Sequence, residues 1–207
     1  MTSAKKIKII DYKAGNAPSV LHAVQRLGFQ AEFAAGPGDL ENAACIILPG
    51  VGSAGATMDS LSESGLTDAL NEYVINKQIP FLGVCVGLQI LFEHSEEDDA
   101  LCFGWLKGRV KRFDSALLRV PQMGWNKVSF VNDTPVNALY GAAEGYFYFV
   151  NSYYAKPEEQ SDIWGKADYG GDFTAAVRRG NIYGTQFHIE KSGEAGLKLL
   201  RGFLQSC

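Results

Sequence analysis

The chain has 207 residues, of which 46% are hydrophobic and 20% charged, with a formal net charge of -4. That length and apolar content are enough for one compact domain with a full core, expected over residues 1–207. The acidic balance and the absence of any basic block argue against a nucleic-acid partner. The cysteines, Cys45, Cys85, Cys102 and Cys207, show no C-x-x-C spacing, which argues against a metal site or a disulfide scaffold and suits a reducing compartment. No apolar leader precedes the first strand and no apolar run reaches about 18 residues, so the expectation is a cytoplasmic protein without a membrane span.

Taken in order, residues 7–10 predict a short strand ending at Asp11, followed by a loop through Tyr12, Lys13, Ala14, Gly15 and Asn16. Pro18 and Ser19 start a helix with Val20, Leu21, Val24 and Leu27 at helical spacing, stopped by Gly28. Residues 29–33 read as a second strand and Gly36-Pro37-Gly38 as a turn. The continuous apolar run 45–48 fits a strand covered on both faces, ending in Pro49-Gly50-Val51-Gly52. A helical pattern runs from Met58 to Val74. A buried strand over 79–84 then feeds a helix predicted over 86–92, and this β-α-β-α-β-α order implies a parallel sheet with helices on both faces. After His94 comes an acidic loop, Glu96-Glu97-Asp98-Asp99, which reads as a solvated surface. The second half is rich in short strands, predicted at 110–113, 127–130, 146–153, 163–167, 174–177 and 182–187, before a last helix carrying Leu197, Leu199, Leu200 and Phe203.

The junction Gly83-Val84-Cys85-Val86-Gly87 has the form of a nucleophile elbow, with the nucleophile on a strained turn and glycines where strand and helix crowd together. The N–H groups that open the following helix favour a thiolate and can hold an oxyanion. A thiol nucleophile needs a base and the base an orienter. His22 reads as a surface residue, and His94 as a cation at the C-terminal end of the elbow helix. His188 ends a strand, and Glu190, two residues on, is expected on the same side, where a carboxylate holds the imidazole in the tautomer that faces Cys85. The loop through Val51 and Gly52, at the end of the preceding strand, is positioned to complete an oxyanion site with Val86.

These residues carry a resemblance. The motifs are Asp11-Tyr12-x-x-Gly15-Asn16, Leu48-Pro49-Gly50-Val51-Gly52, Leu82-Gly83-Val84-Cys85-Val86-Gly87-Leu88-Gln89, Val120-Pro121-x-Met123-Gly124-Trp125-Asn126, Tyr148-Phe149-Val150-x-Ser152-Tyr153 and Gln186-Phe187-His188-x-Glu190-Lys191-Ser192. From Ile9 to Phe203 the chain resembles the triad-type (class I) glutamine amidotransferases, and more closely the glutaminase subunits of imidazole glycerol phosphate synthase. The resemblance implies a three-layer α/β fold, with a mostly parallel central sheet, helices on both faces and extra short antiparallel strands in the second half.

It further implies glutamine as substrate and catalysis by Cys85, His188 and Glu190 without metal or organic cofactor. Gln89, Ser152 and Tyr153 would hold the substrate's α-amino and α-carboxylate groups. Ammonia would pass to a separate (β/α)8-barrel cyclase, making a heterodimer, with Asn16, Gln122, Met123, Trp125, Tyr148 and Lys191 toward that partner. Three positions depart from the pattern. Ile189 stands where the superfamily usually has proline, and Gln122 and Asn151 stand where this branch usually has histidine. They leave open a paralogue serving another synthase, such as a sugar-modifying one. A non-catalytic activating subunit and a cysteine peptidase or γ-glutamyl hydrolase are the further alternatives. The intact triad speaks against the first of these and the branch motifs against the second.

Overall fold

A computed structural model describes residues 6–13, 16–131 and 134–207. Gly15 of the first motif and residues 1–5 of the leader argument lie outside the described residues.

The chain opens with β1 (Lys6–Ile10), α1 (Ala17–Arg26) and β2 (Ala31–Ala34). α1 buries Ala17, Val20, Ala23 and Val24 along one stripe; Pro18 lies in its first turn, and Gly28, at φ +87°, lets the chain leave. The predicted Gly36–Gly38 turn is the entry to a 3-10 turn, Pro37–Leu40. β3 (Ala43–Gly50) outruns its apolar core, because Pro49 and Gly50 still pair with Val84 and Cys85. The helical pattern of residues 58–74 is not one helix. α2 (Ala54–Glu63), capped by the Ser53 hydroxyl, ends before Gly65, which is left-handed at φ +72°. α3 (Leu66–Leu70) then runs into a π-helical turn, Asn71–Asn76.

β4 (Phe81–Cys85) is buried throughout and is followed by α4 (Val86–Gln89), a single turn rather than the helix predicted to Phe92. The chain leaves α4 for a hairpin, β5 (His94–Ser95) and β6 (Ala100–Leu101). His94 therefore lies on a strand, with Nε2 2.8 Å from Asp99 Oδ1, and not at a helix C-terminus. The second half holds β7 (Gly108–Arg112), β8 (Gln122–Phe130), α5 (Pro135–Tyr140), β9 (Glu144–Asn151), β10 (Tyr153–Pro157), β11 (Ile163–Asp168), β12 (Asp172–Arg179), β13 (Ile182–Thr185) and α6 (Gly193–Gln205). The strand predicted over 146–153 is two, broken at Ser152. α5 was not anticipated; Thr134, whose hydroxyl accepts from the Asn137 N–H, and Pro135 start it.

The strands run β2-β1-β3-β4-β13-β12-β10-β7-β5-β6, with β11 pairing β12 and β8, and β8 pairing β9. β2, β1, β3, β4 and β13 are parallel neighbours, and the antiparallel second half continues from them through the β12–β13 pair. The parallel description thus holds for the five strands at one end of the sheet, from the edge strand β2 to β13. From β1 the chain steps one way to β2 and later the other way from β3 to β4. Right-handed crossovers then put α1 and α2 on opposite faces, with α6 against α1 and α4 against α2. The fold is α/β. Among the described residues no helix is long and apolar enough to cross a membrane.

Candidate active site

β4 delivers Cys85 in a conformation that L residues avoid, φ +58° and ψ -110°, a local strain that only the surrounding packing sustains. The packing is backbone against backbone. A Cβ on Gly83 would run into the Gly87 carbonyl, and one on Gly87 into the Leu48 carbonyl. A Cβ on Gly50 would likewise meet the Gly87 nitrogen, so β3, β4 and α4 reach this spacing only because all three positions are glycine. α4 is one turn, so the helix dipole proposed from the sequence is slight, and any anion support comes from individual N–H groups such as that of Val86.

His188 is buried beside this elbow. It does not end a strand: β13 stops at Thr185, and His188 caps the 3-10 turn Ile189–Lys191. The two-residue strand period therefore does not align His188 with Glu190; the turn does. Three hydrogen bonds hold it, from the His188 N–H to the Tyr148 carbonyl (2.9 Å), from the Ser192 hydroxyl to the His188 carbonyl (2.6 Å), and from the Tyr148 N–H to the Ser192 hydroxyl (3.0 Å). Phe187 stacks on Phe147 with ring centroids 4.2 Å apart, and Ile189 is buried in the core, which fixes the turn although proline is absent.

Within that turn His188 Nδ1 lies 3.0 Å from Glu190 Oε1. The Asn16 amide donates to the same carboxylate oxygen at 2.7 Å and lies 3.4 Å from His188 Nδ1. With Nδ1 so engaged, the other ring nitrogen is left free of Glu190, and His188 lines the same cavity as Cys85. Burial lowers the imidazole pKa, but the hydrogen bonds to Cys85 and Glu190 outweigh it and hold it up to about 9. Burial raises the Glu190 pKa, yet the charge and hydrogen bond of His188 and the Asn16 amide leave it below the ordinary carboxylate value.

A cavity of about 280 Å³ opens over Cys85, lined also by Val51, Gly52, Val86, Gln89, Ser152, Tyr153 and His188. A larger cavity of about 490 Å³, beyond the ends of β1 and β2, shares only Val51 with it and contains no triad residue. This cavity also takes in Pro121, Val150, Asn151 and Glu97, which no sequence motif placed there. Glu97 corrects the solvated acidic loop: the β5–β6 hairpin turns it inward, its carboxylate accepts the Ala54 N–H at 3.1 Å, and burial raises its pKa. A run of four acidic residues in a loop carried no signal for which one turns inward.

Of the residues expected to face a partner, Met123 and Trp125 are 67% and 57% exposed, Lys191 is exposed, and Tyr148 is half-buried edge-on against Trp125. Asn16 and Gln122 are not on that surface. Both are buried, Asn16 because its amide turns in to Glu190, and Gln122 because strand alternation sends it inward from Met123, opposite Asn151.

The family model for class-I glutamine amidotransferases matches residues 8–207. A strained cysteine, a histidine and a glutamate on this fold, with that match, define a class I glutamine amidotransferase. The chain is 46% identical over 201 residues to the imidazole glycerol phosphate synthase subunit HisH of Leptospira interrogans, covering 95% of this chain and 98% of that one. It is 42% identical over 207 residues to the chloroplastic imidazole glycerol phosphate synthase hisHF of Arabidopsis thaliana, covering 98% of this chain and 34% of that protein. Among solved structures, PurLQS from Thermotoga maritima shares the fold at a TM-score of 0.78, with 19% identity and 99% of each chain covered. Within the class, the chain belongs to the HisH family.

Proposed function

We propose that Cys85, His188 and Glu190 hydrolyse glutamine in the cavity over the elbow, within one amidotransferase domain spanning the chain. As a HisH-family amidotransferase the chain is the glutaminase subunit of imidazole glycerol phosphate synthase. The observation that carries the site assignment is the strained Cys85 opening onto the same cavity as His188, whose Nδ1 meets Glu190, itself held by Asn16. Cys85 attacks the side-chain carboxamide, and His188 protonates the departing ammonia. His188 then takes a proton from water as the thioester is hydrolysed to glutamate. Glu190 orients the imidazole and balances its charge. The N–H groups of Val86 and the Val51–Gly52 segment face the developing oxyanion. Gln89, Ser152 and Tyr153 hold the α-amino and α-carboxylate groups, and the Glu97 carboxylate adds an anionic partner for the ammonium.

The ammonia passes to a (β/α)8-barrel cyclase on another chain, docked over Met123, Trp125, Tyr148 and Lys191, in a cytoplasmic heterodimer. A hisHF protein, whose name joins the two parts in one chain, supports that partnership. Supply of ammonia to a different synthase is the second reading, and it rests on Gln122 and Asn151 in place of the branch's usual histidines. The test is Cys85→Ala in the assembled complex. Glutamine-dependent turnover should vanish while turnover with ammonium salts persists, and an electrophilic glutamine analogue should label Cys85 alone among the cysteines. Glutamine use surviving Cys85→Ala would overturn the assignment.

A further inference from the structure

The Cys85 sulfur has a neighbour besides His188. Gln186 is fully buried, and its Nε2 lies 3.8 Å from Cys85 Sγ. On the other side the thiol points to the Val150 carbonyl at 4.0 Å. A carbonyl there suits the neutral thiol, whose S–H it accepts, and opposes the thiolate. An amide N–H is the reverse, a donor that gains strength when the sulfur carries charge. The other end of Gln186 is also engaged, since its Oε1 accepts from Gln89 Nε2 at 3.1 Å. That bond, with a second from Gln89 Nε2 to the Tyr153 carbonyl at 3.3 Å, fixes which way the Gln89 amide faces. Gln89 Oε1 is left buried and without a partner, on a side chain lining the substrate cavity. A buried acceptor without a partner is costly unless a ligand supplies the donor.

We propose that Gln186 is a working member of the active site: its amide N–H supports the Cys85 thiolate, while its carbonyl turns Gln89 Oε1 toward the ammonium of the bound amino acid. One side chain thereby ties nucleophile to substrate recognition. Its backbone N–H donates to the Ala175 carbonyl at 2.8 Å, so the position is anchored in the sheet and not in a mobile loop. The inference rests on Cys85 being the nucleophile, which the Cys85→Ala experiment tests separately.

The experiment is the pH profile of Cys85 alkylation by iodoacetamide on the full chain, read peptide by peptide with mass spectrometry, for the unaltered chain and for Gln186→Met and Gln186→Leu. Loss of the donor should move the midpoint upward by about one pH unit, equivalent to about 1.4 kcal/mol. It should also raise the KM for glutamine several-fold. Gln89→Leu should raise KM and leave the alkylation midpoint in place. On the unaltered chain, the Gln186 side-chain amide should shift in 15N–1H spectra at the alkylation midpoint, and should not in Cys85→Ser. That measurement holds even if both Gln186 variants fail to fold. An unmoved midpoint in a folded variant, or an amide signal indifferent to the thiol, would overturn the proposal.

Discussion

His188 lies between Cys85 and Glu190, and its charge state links stability to pH. Its pKa is raised from 6.5 to about 9, so its protonated form stabilises the fold fully below 6.5, and that contribution is lost as pH rises through about 9. Glu190 has the opposite sign. Held below 4.5, it stabilises above that value and the contribution fades as pH falls. Both act together between those limits. Glu190→Gln should therefore lower Tm most near about pH 6 and much less near about pH 10. Thermal unfolding of the two proteins across that range checks this, and a constant Tm difference would mean that the pair does not titrate as a unit. His188 and Glu190 themselves stand out in the sequence, being near neighbours in a recognisable motif. Asn16 stands in a motif as well, but its contact with Glu190 does not show there: it depends on β1 and β13 sharing one sheet, a relation across 174 positions.

Among the elements, the elbow is the one whose form follows most directly from residue type. Glycine at 50, 83 and 87 permits the close crossing of β3, β4 and α4, since a Cβ at any of the three would meet neighbouring atoms at under 3 Å. Gly87→Ala would push a methyl group into the Leu48 carbonyl, where overpacking typically costs about 1–3 kcal/mol. The end of β3 that leads into Val51 would separate from the turn bearing Cys85. Gly38→Ala is the contrast, with open space around its position and no left-handed φ, and should change stability by less than about 0.5 kcal/mol. Urea unfolding of both variants measures the difference, and glutamate release reports whether the elbow has moved. Equal stabilities would show that the crossing has slack. The length of α4 was not legible in the same way. Residues 86–92 have a helical pattern, yet the N–H groups of Phe103 and Leu106 donate to the Ile90 and Leu91 carbonyls, and those bonds replace further helix.

At the scale of the whole molecule, the parallel half carries Cys85 and His188, and the β8–β9 pair presents an exposed apolar surface beside them. Met123 and Trp125 project together because they are two residues apart on β8, and Trp125 pairs with Tyr148 across the ladder. A central aromatic anchor in an interface typically contributes at least about 2 kcal/mol. Trp125→Asp should therefore weaken assembly with the cyclase about 30-fold or more. Calorimetric titration of the two chains measures it, and Cys85 alkylation serves as a control that should not change. Unaltered affinity would move the interface elsewhere.

Residue order alone determined the elbow, the alternation of strands and helices in the first half, and the choice of Cys85, His188 and Glu190 as the candidate triad. Each depends on local spacing: apolar runs, glycine positions, and a histidine two residues from a glutamate. Only the tertiary structure decided where α4 stops, that Asn16 turns in to the carboxylate, that Glu97 turns half-buried into the cavity over Cys85, and that Gln186 reaches the sulfur. Those outcomes hang on backbone turns and on contacts between elements far apart in the chain. A side chain's direction at a turn is set by what the turn packs against, which no local period encodes.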